Sequence, residues 1–206
     1  MQIFITPTSP YARIARIAAQ TCATECETVA IASDQLRTDT NPVLACNPTG
    51  RVPTLLDGDV VLSETPAICR YLEAKGDGTR LFARMDDAAE NWAGVRLESF
   101  STSLLDGAAL WTRELRRPPD QRSDWLCGVE MARAQRTLAW FDADPDIRAG
   151  TAPWDYAHIT LAIGLEYLVF RGLITDWHES HDALANWLAE QQKRPAMQAT
   201  DFFAAA

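Results

Sequence analysis

The feature that most constrains this chain is the junction between a short apolar run and the helical pattern that follows it. Residues 3–5 are apolar and have strand composition. From Ile14 to Cys22, apolar side chains recur at the i, i+3, i+4 and i+8 spacing of one helix face. Pro10 suits the first helical turn, where no backbone N–H is needed. The sequence therefore predicts Ser9 at a strand-to-helix junction, where a helix N-terminus favours an anion.

Mixed strand and helix patterns continue to residue 76. Residues 28–31 predict a strand, residues 32–41 a weak helix or a loop, and residues 52–62 a hairpin that turns at Asp57-Gly58. Ser63 is predicted to cap a further helix, which has Pro66 in its first turn and ends at Gly76. The resulting order β-α-β-α-β-β-α resembles the thioredoxin-like fold.

The rest of the chain shows helical spacing and no convincing strand. Glycine and charged residues dominate residues 77–84, which predicts a linker. Helices are predicted over residues 85–117, 123–142, 154–170 and 181–193. The predicted fold class is therefore α/β plus all-α, with a thioredoxin-like domain at 1–76, a linker at 77–84 and an all-helical domain at 85–206.

Composition excludes several classes of function. The 206 residues carry a formal net charge of −9, so the chain is a poor candidate for binding nucleic acid or an anionic membrane surface. No apolar run is long enough to span a bilayer. The five cysteines are scattered and no signal peptide is recognised, which indicates reduced thiols and a cytoplasmic location. Cys22 and Cys26 are four residues apart, but no second pair or nearby histidine completes a metal site, so no metal is predicted.

Two resemblances follow from these residues. A glutaredoxin begins with a strand, Cys-Pro-Tyr-Cys and a helix, and Ser9 and Ala12 stand here at the two cysteine positions. Without the second cysteine no intramolecular disulfide forms, which excludes dithiol exchange at this site. A serine at the first position and an all-helical second domain resemble the cytosolic glutathione transferases with an active-site serine. The stretches that carry this resemblance are residues 8–11, 47–55 and 62–68 and, as in bacterial members, residues 154–157, 167–171 and 194–197.

The resemblance implies roles for three parts of the first domain. Val52-Pro53 resembles the family's Val–cis-Pro step, whose backbone N–H and C=O pair with the cysteinyl backbone of glutathione. Glu64 and Thr65, at a helix start, would bind the γ-glutamyl end, and Arg51 the glycine carboxylate. From the residues alone, an edge-strand proline, a plain helix cap and a solvated surface charge are the alternatives to these roles.

Ser9 is predicted to carry the chemistry. A free thiol has a pKa near ~8.5, and lowering it by about two units requires roughly 2.7 kcal/mol of preference for the anion. A hydrogen bond to a charged group supplies ~1.5–3 kcal/mol, and a helix N-terminus adds ~0.3–1 kcal/mol. The Ser9 hydroxyl and the helix end therefore suffice without a general base. Thr8 is a rival donor, and simple helix capping is the alternative role for Ser9.

The resemblance also implies a pocket for the electrophile between the two domains. The candidate wall residues are Tyr11, Leu104, Leu105, Ala108 and Trp111, and for any one of the helical residues ordinary core packing is the alternative. Asp155 resembles the family's buried capping aspartate. Its usual Ser or Thr partner three residues earlier is Ala152 here, and Thr151 is the candidate substitute.

The predicted function is conjugation of the glutathione thiolate to a small hydrophobic electrophile, with a role in detoxification. Glutathione would be the cosubstrate, and the resemblance implies a homodimer. One alternative is another glutathione-dependent reaction: reduction, peroxidase activity, isomerisation or dehalogenation. The other is a glutathione-binding scaffold with little turnover. Serine in place of cysteine at position 9 argues against thiol–disulfide reduction.

Overall fold

The computed structural model describes residues 1–82 and 88–204, without the side chains of residues 88–91. The chain forms two compact units. The first, called the sheet unit below, comprises Met1–Phe82 and Pro195–Ala206, and the second, called the helical unit, comprises Ala83–Arg194.

The sheet unit contains four strands and two long helices. The strands are β1 (Gln2–Ile5), β2 (Glu27–Ala30), β3 (Thr54–Asp57) and β4 (Val60–Ser63), and the helices are α1 (Pro10–Thr21) and α2 (Thr65–Lys75). The sheet order is β2-β1-β3-β4. β1 is parallel to β2, and β3 is antiparallel to both β1 and β4. The thioredoxin-like fold is confirmed, with short 3-10 turns at Gln35–Arg37 and Pro42–Ala45 in place of the weak second helix.

The apolar faces that predicted these elements form the core of the sheet unit. Ile14, Ile17 and Ala18 of α1 are at most 1% exposed, as are Ile68 and Leu72 of α2. The two helices pack against each other. Full burial of an aliphatic side chain contributes roughly 1.5–3 kcal/mol, so this packing holds both helices in place.

The helical unit is organised around one apolar helix. Its helices are α3 (Ala88–Leu115), α4 (Asp124–Asp142), α5 (Pro145–Ala149), α6 (Tyr156–Phe170) and α7 (Asp182–Gln191). Every residue of α6 from Tyr156 to Leu168 is buried, and α6 packs along α3. The described part of this unit contains no strand, and the mostly helical second part is confirmed. The sequence did not predict α5, because five residues are too short to show periodicity.

The C-terminal segment, residues 195–202, packs on α1 within the sheet unit. Arg13 is 2% exposed; its Nε donates to Thr200 Oγ1 and its Nη2 to the carbonyl oxygen of Met197, both at 3.2 Å. The Arg13 guanidinium also lies 4.3 Å from the Phe202 ring centroid. A buried guanidinium needs such acceptors, and Met197 of α8 (Pro195–Gln198) and Thr200 just beyond that helix supply them. The compact units therefore differ from the predicted domain at 85–206, which included this segment.

The predicted linker at 77–84 is described only as far as Phe82. Residues 83–84 of the linker, and 85–87 of the helix predicted to follow it, lie outside the described residues. Glu73 of α2 holds the described part, because its Oε2 accepts from the backbone N–H groups of Leu81 (2.7 Å) and Phe82 (2.9 Å). The boundaries at 76 and 84 stay predictions.

Asp155 caps α6, but not with the predicted partner. Its Oδ1 accepts from the backbone N–H of His158 at 2.9 Å and lies 2.7 Å from His158 Nδ1. The expectation for Thr151 is wrong, because its hydroxyl donates to Asp146 Oδ1 at 3.1 Å. Gly150, with φ of 68°, turns Thr151 back onto α5. The Asp155 side chain is 29% exposed and therefore only half-buried.

No helix in residues 1–82 and 88–204 is both long enough and apolar enough to cross a membrane.

Candidate functional site

Three chain segments meet where β1 and β4 end and β3 begins. This end of the sheet is called the sheet edge below. Thr54, the first residue of β3, pairs with Phe4 of β1 on one side and with Ser63 of β4 on the other. Because β1 and β4 end at this edge while β3 begins there, residues 6–9, 52–53 and 64–65 all lie beside it. The N-termini of α1 and α2 follow directly, so two positive helix ends face the same place.

Ser9 caps α1 and keeps a free hydroxyl hydrogen. It is the N-cap residue, with φ of −80° and ψ of 121°, and its Oγ accepts from the backbone N–H of Ala12 at 3.2 Å. That bond uses an oxygen lone pair, and the described residues offer no acceptor for the hydroxyl hydrogen. Capping and donation to an anion are therefore compatible roles for the same side chain.

The residues around Ser9 match the predicted junction. Pro10 occupies the first helical position. Thr8 lies in the turn that the Ser9 N–H closes by donating to the carbonyl of Thr6 at 3.1 Å. Thr8 and Tyr11 are both half-buried. The choice of Ser9 over Thr8 as the group that meets the sulfur stays a prediction.

Val52 presents an unpaired stretch of backbone at the start of β3. The Val52–Pro53 peptide bond is cis. Neither the N–H nor the C=O of Val52 has a hydrogen-bond partner among the described residues. An extended ligand backbone can therefore pair with Val52 as an added strand would.

Two buried asparagines and a threonine fix the loop that ends at Val52. Asn47 Nδ2 donates to Thr54 Oγ1 at 2.8 Å, and that hydroxyl donates to the carbonyl of Arg51 at 2.7 Å. Asn41 Nδ2 donates to the carbonyl of Gly50 at 2.8 Å. These bonds pre-organise the loop, so the backbone at Val52 is held in place before any ligand arrives.

The start of α2 differs from the prediction. Ser63 is the last residue of β4, and the N-cap position belongs to Glu64, whose side chain makes no capping hydrogen bond. The predicted Ser63 cap is wrong because Glu64 takes a φ of 69°, which turns the chain one residue later. A positive φ in a residue other than glycine is uncommon and strains the backbone.

The first turn of α2 carries open donors. The backbone N–H groups of Thr65 and Ala67 have no partner among the described residues, and neither has the Thr65 hydroxyl. Glu64 is exposed beside them. This arrangement suits a ligand end that bears both a carboxylate and an ammonium group. Arg51 is also exposed, and its guanidinium forms no ion pair within the described part of the chain.

Comparison with known proteins gives one family. The family model "Glutathione S-transferase, N-terminal domain" matches residues 8–75, which contain residues 8–9 of the first segment of the sheet edge and all of the other two segments. The chain is 32% identical to the glutathione S-transferase GstB of Escherichia coli K12 over 109 residues, 49% of this chain. The chain spans about half the length of that curated relative, 50%.

Solved structures agree over nearly the whole chain. A glutathione S-transferase from Methylobacillus flagellatus KT with bound glutathione has a TM-score of 0.86 and 26% identity, covering 97% of this chain and 98% of that one. A Pseudomonas fluorescens Pf-5 family member with bound S-(propanoic acid)-glutathione has a TM-score of 0.80 and 28% identity, with the same coverage. The chain therefore contains a glutathione S-transferase N-terminal domain, and nearly its whole length has the fold of these glutathione S-transferase structures.

Sequence reasoning missed the residues that support the site. Asn41, Asn47 and Thr54 are buried and hold the Val52 loop, but the loop composition showed only a turn. The available sequence signal for a supporting role was that these polar side chains lie next to buried strand positions. Arg13 was missed because its partners lie 184 and 187 residues away in sequence.

The helical residues predicted for an electrophile pocket are all buried. Leu104, Leu105, Ala108 and Trp111 are 1–6% exposed. Gly164 of α6 lies against Leu104 and Leu105, so both belong to the α3–α6 packing. Their role in an electrophile pocket stays a prediction, as does that of Tyr11.

Two of the five cysteines, Cys22 and Cys26, have thiols that are poor rivals of Ser9 because burial holds them in the protonated form. Burial, ahead of the charges of Glu73 and Asp77, raises the pKa of the Cys22 thiol to about 11. Burial also raises the pKa of Cys26. Both thiols are therefore protonated at neutral pH and are poor nucleophiles and metal ligands. Among the residues that the structure describes, no group of three or more His, Cys, Asp or Glu side chains is placed to hold a metal.

Proposed function

We propose that this chain is a glutathione transferase that joins the sulfur of glutathione to a small hydrophobic electrophile. The observation that carries the proposal is the set of unused hydrogen-bonding groups at one sheet edge. These are the Ser9 hydroxyl hydrogen, the Val52 N–H and C=O, and the first N–H groups of α2. Glutathione has a matching thiol, peptide backbone and charged γ-glutamyl end.

Each group has one role in this proposal. The cysteinyl backbone of glutathione pairs with Val52, next to Pro53, and thereby directs the thiol toward α1. The α-carboxylate of the γ-glutamyl end takes the open N–H groups and the Thr65 hydroxyl, and its ammonium pairs with Glu64. Arg51 binds the glycine carboxylate. The bound thiol then lies beside Ser9 and the N-terminus of α1.

Ser9 stabilises the thiolate, and it acts without a general base. The thiol proton passes to solvent, and the Ser9 hydroxyl donates a hydrogen bond to the sulfur anion. That anion attacks the electrophilic carbon and forms a carbon–sulfur bond. A leaving group departs with its electron pair or, where the electrophile is a polarised double bond, the substrate takes up a proton.

The test combines binding with turnover. The purified chain should be retained on immobilised glutathione and should convert members of a panel of chromogenic aryl halides. Retention without turnover of any panel member would indicate the scaffold alternative. Turnover of peroxides or disulfides in place of aryl halides would indicate a reductive reaction. Failure of retention would contradict the proposal at its first step.

A homodimer in the cytoplasm is proposed on the family resemblance, with detoxification as the biological role. Sedimentation equilibrium of the purified chain tests the dimer, and a mass equal to one chain would reject it.

The electrophile pocket is proposed to include Tyr11, Leu104, Leu105, Ala108 and Trp111. Trp111→Ala should change the ranking of aryl halides without changing affinity for glutathione.

A further inference from the structure

The C-terminal segment has no role in the proposed function, although residues 194–197 carry part of the family resemblance. Within the sheet unit it packs against α1, the helix that Ser9 caps. Three of its side chains, Met197, Thr200 and Phe202, are at most 2% exposed. Contacts of this segment with α1 can therefore affect the serine at the start of that helix.

Arg13 is the centre of this packing. Its Nε donates to Thr200 Oγ1 and its Nη2 to the carbonyl of Met197, and its guanidinium lies against the Phe202 ring. The Thr200 hydroxyl donates to the carbonyl of Ala196 at 2.7 Å, so its oxygen keeps a lone pair for Arg13. Because a guanidinium is planar and its donors have fixed directions, these contacts fix the orientation of the Arg13 side chain.

The burial of Arg13 indicates a role in orientation more than in stability. Arginine is rarely fully buried, and replacing buried charged groups by apolar ones of similar volume is often neutral or stabilising. Arg13 is nevertheless 2% exposed, on a helix where Ile14 and Ile17 already supply apolar packing. An apolar side chain would have sufficed for burial, whereas an arginine also sets a direction.

The contacts of Arg13 lie on a second face of α1. Residues three apart share a helix face, so Arg13 and Arg16 lie together, and Arg16 Nη2 donates to the carbonyl of Ala199 at 3.2 Å. Ile14 and Ile17 form the neighbouring face, which lies in the core. Contacts on two faces restrain rotation of α1 about its own axis better than contacts on one face.

The backbone next to this contact bonds directly to Ser9. The Arg13 N–H donates to the Ser9 carbonyl at 3.1 Å, and the Ala12 N–H donates to Ser9 Oγ at 3.2 Å. A rotation of the first turn of α1 would therefore move the Ser9 hydroxyl with it. Reacting groups must be held to within ~0.5 Å by residues that do not themselves touch the substrate.

We propose that Arg13 is a positioning residue for the chemical step: the C-terminal segment holds its guanidinium and thereby aims the Ser9 hydroxyl at the sulfur of glutathione. This inference rests on the proposed function, in which Ser9 stabilises the thiolate. Across residues 1–82 and 88–204, no hydrogen bond joins the segment to Val52 or to Thr65. The segment therefore acts on the thiol and not on the binding of glutathione.

Two variants loosen the contact in different ways. Arg13→Lys keeps the positive charge but loses the planar fork, and Thr200→Val removes the acceptor of Nε while the bond from Arg13 to Met197 stays. Thr24→Val is the matched control, because Thr24 lies beyond the other end of α1 and its hydroxyl donates to the carbonyl of Leu72 at 3.2 Å. Where Arg13→Lys does not fold, Thr200→Val decides the test alone.

The pKa of the bound glutathione thiol, followed by ultraviolet absorbance against pH, is the main readout. It should rise by about one unit in Arg13→Lys and by about half a unit in Thr200→Val. At pH values below that pKa, kcat should fall about tenfold and about threefold, because the thiolate fraction falls by the same factors. The KM for glutathione should stay unchanged, and Thr24→Val should show neither change.

Amide hydrogen exchange in the chain without glutathione tests the link to Ser9 separately. The N–H groups of Ala12 and Arg13, which bond to Ser9, should exchange faster in both variants than in the wild type. Thr24→Val should leave their exchange rates unchanged. Unchanged exchange in Arg13→Lys and Thr200→Val would overturn the positioning role.

The possible failures are distinguishable. A wild-type chain that binds no glutathione, or binds it without lowering the thiol pKa, would reject the proposed function and this inference together. A lowered wild-type pKa that both variants leave unchanged would reject this inference alone. A fall in kcat that Thr24→Val reproduces at equal loss of stability would also reject it, since Arg13 would then only stabilise the fold.

Discussion

The two helix ends at the sheet edge are built in opposite ways. At α1, Ser9 has ordinary extended dihedral angles and its side chain caps the helix. At α2, Glu64 has a φ of 69° and makes no capping bond, and the N–H groups of Thr65 and Ala67 have no partner in residues 1–82 and 88–204. Both ends carry the same positive dipole, so the dipole alone does not distinguish their tasks.

Under the proposed function, this difference suits the two ends to different anions. A capped end with one free hydroxyl hydrogen offers a single strong donor, which suits a sulfur atom. An uncapped end offers several donors together, which suits a carboxylate. We therefore expect changes at α1 to alter the chemical step, and changes at α2 to alter binding.

The largest expected effect is that of Ser9→Ala. Loss of a hydrogen bond to a charged sulfur should lower kcat by about 10- to 100-fold, with little change in affinity for glutathione. Steady-state kinetics with an aryl halide measures both quantities. Ser123→Ala is the matched control, because Ser123 caps α4 with the same 3.2 Å bond, to Leu126 N–H. Equal losses in both variants would show that capping, and not thiolate stabilisation, explains the effect.

Glu64→Ala should act on binding. Removal of the carboxylate that meets the γ-glutamyl ammonium should raise the KM for glutathione about tenfold, while kcat at saturation changes little. Glu114→Gln, in the helical unit, serves as the control with an unchanged KM. If Glu64→Ala lowered kcat and left KM unaltered, the division of labour between the two helix ends would be wrong.

Glu64→Gly isolates the strain from the charge. Glycine adopts a positive φ freely, so this variant should gain roughly 1 kcal/mol in the free energy of unfolding relative to Glu64→Ala. Both variants should share the same raised KM. Ala23→Gly is the control, since Ala23 also has a positive φ, of 52°, and lies away from the site edge. Its stability should rise with no change in KM, as denaturant unfolding and kinetics can show.

The smallest expected effect is at the loop that supports Val52. Thr54→Val removes the hydroxyl that links Asn47 to the Arg51 carbonyl, so the KM for glutathione should rise about two- to threefold as the loop loosens. Thr28→Val on β2, at an exposed strand position, is the control. A KM for Thr54→Val equal to that of the control would mean that the loop holds its shape without this bond.

Much of the fold was predictable because its signals are local. The apolar spacing of α1, the hairpin at Asp57-Gly58 and the end of α2 at Gly76 depend on residues close in sequence. The packing of the C-terminal segment was not predictable in this way. From the sequence alone, Arg13 is predicted to be a surface charge on a helix. Only the folded chain places Thr200 and Phe202 against its guanidinium.

The site residues divide in the same way, into those with a local sequence signal and those that depend on tertiary structure. Ser9 was placed by the junction pattern, and the cis bond at Val52-Pro53 by family resemblance. The positive φ of Glu64 was missed, because Ser63 has the better capping side chain and only the tertiary structure moves the turn by one residue.

Titration of the bound thiol tests the central claim most directly. The ultraviolet absorbance of the thiolate, followed against pH with glutathione bound, should give a pKa about two units below the free value of ~8.5. In Ser9→Ala the bound thiol should titrate close to the free value. A bound thiol that titrates at the same pH with and without the Ser9 hydroxyl would contradict the account.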